Sequence, residues 1–72
     1  MAKDTNAKFV ANLAKMDLDQ IVMRVMVLTE MAGEEENRDV AAVLAAKRDC
    51  AECVGKLRFG HRYQDAIEAA AA

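Results

Sequence analysis

The chain has 72 residues, with 10 Lys and Arg against 12 Asp and Glu for a net charge of −2, no proline and three glycines. That is enough for one domain, and abundant alanine without strand or hairpin signals leaves all-α as the class. A general nucleic-acid binder is expected to be basic overall, and Arg24 and Glu30 interrupt the best apolar run short of the ~18 residues a membrane helix needs, so duplex nucleic acid and membrane are set aside as partners.

Asp4, Thr5 and Asn6 are good N-caps, and Phe9, Val10, Leu13 and Met16 give a short amphipathic helix predicted over about 6–15. Asp17 with Gln20 three residues later reads as a capping box, and Met16 and Ile21 stand where a hydrophobic staple places them. A second helix is therefore predicted over 18–32. Its stripe of Leu18, Ile21, Val25, Leu28 and Ala32 recurs at three-four spacing, and Val22 and Met26 widen it.

At 100° per residue, Met23, Val27 and Met31 fall on roughly the opposite side. One neighbouring element in so short a chain covers one face. The other face predicts contact with a second copy, and small scaffolds commonly gain stability that way. The expected assembly is a four-helix-bundle-type dimer or a larger helical oligomer.

Gly33 is the expected break. A third helix is predicted over 34–59, with Glu34, Glu35 and Glu36 at its positive end and the pairs Glu34–Arg38 and Glu52–Lys56 oriented favourably at i, i+4. Val40, Val43, Cys50, Val54 and Leu57 supply its apolar stripe, with Leu44 and Ala51 alongside. Gly60 is the next break, because the stripe beyond it would continue through His61, Gln64 and Glu68, all polar. A short C-terminal helix or frayed tail is predicted over 61–72. Folding about Gly33 would set residue 47 level with about 20, and residue 50 with about 17.

Charge is unevenly spread. Residues 33–46 sum to −3 and residues 47–63 to +3.

Four features bear on chemistry. Cys50 and Cys53 form a lone C-x-x-C within a helix, without the strand that precedes a redox motif. They are read as small buried hydrophobes, so neither metal nor cofactor is expected. The weaker metal reading makes them half of a four-cysteine site across a dimer, or three ligands with His61. Lys47 interrupts the third helix's apolar stripe and needs a partner. The expected register offers Asp17, Asp19 and Gln20, while a subunit-interface pocket would offer an anionic ligand instead.

Lys56, Arg58, His61, Arg62 and Tyr63 concentrate positive charge around an aromatic ring, either as a solvated helix end or as a phosphate and base site. Finally, methionine-rich helix faces are common on adaptable protein-binding surfaces.

A helix-turn-helix reader would bring Glu34–Glu36 against phosphates, and the sequence contains neither serine nor a carboxylate constellation for His61. DNA reading and catalysis are thus not expected. The favoured reading is a small, non-enzymatic, cytoplasmic, oligomeric interaction protein, an adaptor or inhibitor that binds another protein through Met23, Val27, Met31, Glu34 and Glu35. The residues Met1–Asn6 lack the basic-then-apolar layout of a secretory signal, in keeping with that compartment. The competing reading is an oligomer that captures a nucleotide-like anion between subunits with Lys47, Arg58, His61, Arg62 and Tyr63.

Overall fold

Asp17 and Gln20 cap each other. The Asp17 carboxylate accepts from the Gln20 backbone N–H at 2.9 Å, and the Gln20 side-chain oxygen accepts from the Asp17 N–H at 3.0 Å. This reciprocal pair satisfies two of the amides a helix start leaves without partners. In the computed structural model, which describes residues 2–72 and side chains from residue 7 onward, four helices follow one another: α1 (Ala2–Lys15), α2 (Leu18–Glu34), α3 (Arg38–Phe59) and α4 (His61–Ala71). No strand occurs among the described residues. The fold is all-α.

The α2–α3 turn departs from expectation. Helix α2 runs through Gly33 to Glu34, and α3 begins at Arg38 rather than at residue 34. Asn37 decides the matter: its side-chain oxygen accepts from the N–H groups of Asp39 at 2.9 Å and Val40 at 3.2 Å. A side chain that satisfies two helix-start amides outweighs a glycine whose only signal is conformational freedom. Glu34 and Arg38 consequently lie in different helices. The acidic run closes α2 and forms the turn, with the Glu35 N–H donating to the Met31 carbonyl at 3.0 Å.

Moving the turn shifts the register. A Cβ built on Gly55 would lie 3.2 Å from Ile21 Cγ2, whereas folding about Gly33 would set Ile21 level with residue 46. Lys47 accordingly does not reach α2's first turn. It lies beside α1 instead, its Nζ 5.6 Å from the Phe9 ring centroid.

Helices α2 and α3 form the main pair, α1 packs on α3, and α4 folds back onto both α2 and α3. The core comprises Leu13, Ile21, Val22, Val25, Ala51 and Tyr63, with Phe9, Met16, Leu18, Cys50, Val54, Phe59, Ala66 and Ile67 packed around it. On α3 the fully covered positions are Ala51 and Gly55. The predicted stripe is thus off phase there, and Leu57, assigned to it, is 81% exposed. Small residues win because they let α2 and α4 approach closely. Tyr63 packs directly over Gly55.

Gly60 makes that approach possible. Its φ of 57° is a conformation L-residues rarely hold, and it ends α3 while α4 starts at the next residue. The molecule measures 32 × 28 × 14 Å along its principal axes. At 8–10 Å between packed helices, the thinnest dimension holds two helix layers. A helix in such a slab keeps one side outward, and α2 turns its Met23–Val27–Met31 side out.

Candidate protein-docking groove

Helix α2 has a covered and an open side, and Met26, expected to widen the covered stripe, belongs to the open one at 40% exposed. Ile21, Val22, Val25 and Leu28 are buried, while Met23 is 66% exposed, Val27 42% and Met31 48%. Beside the open face, the C-terminal half of α4 contributes Ile67, Ala70 and Ala71 as a second wall. Between the walls runs an apolar groove of about 880 Å³, lined also by Val22, Val25 and Met26. Thr29 donates its hydroxyl to the Val25 carbonyl at 2.7 Å, so its one donor is used within α2.

The ionisable groups lining the groove are Asp19, Glu30 and Glu52, all carboxylates. Glu52 shares its charge with Lys56 across 3.4 Å on α3. Asp19 and Glu30 take part in neither of the ion pairs found among the described residues. Asp19 and Glu30 stand eleven residues apart on one helix, about 16–17 Å along its axis at ~1.5 Å per residue.

The five residues expected to form a protein interface do not share one depression. Met23 and Val27 border the groove, and with Met16, Gln20 and Arg24 they also line a hollow of about 320 Å³ on α2's other flank. Met31, Glu34 and Glu35 meet Leu44 in a separate hollow of about 270 Å³ beside the turn.

Of the residues considered for a nucleotide-like anion, Arg58 and Arg62 meet around Phe59 while Lys47 lies apart beside Phe9. Lys47 lines a hollow of about 420 Å³ with Phe9, Val10, Val43, Ala46 and Cys50. Arg58 reaches across to α1, donating to the Leu13 carbonyl at 2.9 Å and to the Met16 carbonyl. Its charge thereby caps the carbonyls at the end of α1, where the helix dipole favours a cation. Arg58 and Arg62 both stand over the Phe59 ring, at 4.8 and 5.8 Å from its centroid.

His61 is exposed at the first position of α4, and the Tyr63 ring is fully buried, presenting no face for a base to stack on. The Tyr63 hydroxyl finds no hydrogen-bond partner among the described residues. Burial, with Glu52's negative charge, pushes its pKa up to about 12.

Of the two cysteines expected as buried hydrophobes, Cys50 is half-buried and Cys53 is exposed, both as free thiols. Among the described residues no cluster of three or more His, Cys, Asp or Glu is placed to hold a metal ion, and no helix is long and apolar enough to cross a membrane. Comparison with protein-family models, curated proteins and solved structures found no match to this chain.

Sequence reasoning missed the groove's second wall. Ile67 and Ala70 are three apart and signal an α4 face, but only the reversal at Gly60 sets that face beside α2. Asp19, Glu30 and Glu52 read individually as solvated charges. Their convergence is a product of tertiary structure.

Proposed function

We propose that this chain is a small non-enzymatic interaction module, an adaptor or inhibitor that binds another protein through the open side of α2 and the groove it forms with α4. The observation that carries this reading is the continuity of exposed Met23, Met26 and Val27 with an apolar groove of about 880 Å³. Contiguous exposed apolar surface on a small protein marks interaction sites, and methionine side chains adapt to a partner's shape at low cost. An anion site built from the basic residues draws no comparable support, because Arg58 is engaged with α1 and the Tyr63 ring is enclosed.

The test is site-specific photocrosslinking in cells that express the protein. A photoreactive residue at Met23 or Val27 is expected to give an adduct of one discrete mass, and the same residue at exposed Asn12 on α1 none. Met26→Glu should remove the adduct while far-UV circular dichroism stays unchanged. Equal labelling from Asn12, or no adduct from either α2 position, overturns the reading.

A further inference from the structure

Resting on the docking reading, we infer that the occupant of the α2–α4 groove is a cationic amphipathic helix on another protein, with an apolar stripe about three turns long and Lys or Arg at both ends. Three features lead there. The groove's ionisable groups are all carboxylates, so an occupant carrying its own carboxylates at the rim would meet like charge. Asp19 and Glu30 border it about 16–17 Å apart, which matches cations some eleven residues apart on a helix lying along α2.

The walls are helices whose backbone groups are bonded internally, and they offer no sheet edge. An extended peptide laid in the groove would gain no backbone hydrogen bonds from these walls and would depend on water for its own N–H and C=O groups. A helix arrives with its backbone satisfied and presents only side chains, the usual way an apolar stripe meets an apolar groove. Met23 and Met26 can then adjust to its anchors.

The experiment measures binding of fluorescent 20-residue helical peptides to the full chain by anisotropy. Two peptides share the same leucine stripe, one with lysine and one with glutamate at the flanking positions. A third keeps the lysine content but scrambles the leucines off the stripe. The lysine-flanked stripe peptide is expected to bind about tenfold tighter than its glutamate counterpart, as two exposed charge contacts allow, and tighter than the scrambled one.

The double variant Asp19→Asn/Glu30→Gln should erase most of that preference. Glu34→Gln/Glu35→Gln, an equal charge change outside the groove, should preserve it. Equal binding of the two stripe peptides, or equal binding of the striped and scrambled lysine peptides, overturns the cationic-helix assignment while leaving the docking reading intact. So does failure of every peptide alongside a Val27 photocrosslink to a protein of another mass. A complex that sediments at twice the chain mass and is lost in Met26→Glu assigns the groove to a second copy and overturns the inference.

Discussion

Replacing Gly55 with alanine places a methyl group where the Tyr63 ring already lies. An ideal Cβ at this position falls 2.5 Å from Tyr63 Cδ1, 2.7 Å from Cε1 and 3.2 Å from Ile21 Cγ2. Carbon atoms rest at ~3.5–4.0 Å, so the ring must retreat by about 1 Å. Tyr63 and Ile21 are both fully buried, which leaves little room to retreat. Overpacking costs typically ~1–3 kcal/mol, and overlap with two ring atoms belongs at the upper end.

Against this, glycine to alanine inside a helix contributes ~0.8–1.0 kcal/mol in favour of the variant. The expected net loss is therefore about 2 kcal/mol. In a domain of this size that corresponds to a Tm lower by roughly 8–16 °C. Urea melts followed by circular dichroism check it, with Gly33→Ala as the internal control. Gly33 lies in α2, and a Cβ added there would meet nothing within 4 Å, so alanine should stabilise by up to ~1 kcal/mol. Tyr63→Leu in the Gly55→Ala background should be strongly non-additive, because it removes the clashing ring atoms. A Gly55→Ala protein as stable as its parent would refute the close-approach account.

Alkaline pH supplies a second test. Tyrosine ionises near 10 in an unfolded chain and at about 12 in this fold, so between those values the folded state holds the proton more tightly. The stability contributed by the neutral phenol is complete below pH 10 and lost as pH rises through 12, on the order of 2–3 kcal/mol in all. Tyr63→Phe should remove that differential loss. At neutral pH it should match or slightly exceed the parent, since the hydroxyl it deletes is buried without a partner among the described residues. A destabilisation well above 1 kcal/mol at neutral pH would contradict that hydroxyl's isolation. At the other end of the molecule, Arg58→Ala removes the donor to the Leu13 and Met16 carbonyls. Hydrogen exchange should then accelerate in α1 while α2 and α3 amides keep their protection; uniform acceleration, or none, would count against this anchoring role.

The elements most legible in the sequence are those fixed by neighbours a few residues away. Asp17 and Gln20 specify a capping box by spacing alone, and the structure contains both bonds. The buried stripe of α2 follows from a strict three-four spacing of large side chains. Gly60 is readable because the apolar phase reverses across it.

Legibility fails where two local signals compete or where smallness matters. Gly33 and Asn37 both suit a boundary, and only the strength of Asn37's two side-chain bonds separates them. That four-residue difference moves the register of α3 and sends Lys47 to Phe9 on α1. Ala51 and Gly55 carry little hydrophobic weight, so a pattern built on large residues passes over the close approach of Tyr63 to Gly55. The groove is the least legible feature, because its walls lie far apart in sequence and meet only after two reversals of direction.

The reversal at Gly60 has a bearing on how copies of this chain can combine. A single residue separates α3 from α4, and the chain turns back at that residue's positive φ. Any L side chain there strains the turn and so lowers the cost of running α3 straight into α4 relative to the folded-back path. A straightened α4 still carries Tyr63, and the Gly55 notch stays open to receive one. The nearest vacant notch then belongs to a neighbouring molecule that has straightened in the same way. Reciprocal exchange of α4 would rebuild both cores with their original contacts, joining two chains without evolving a new surface. A residue other than glycine at position 60 would therefore favour such exchange.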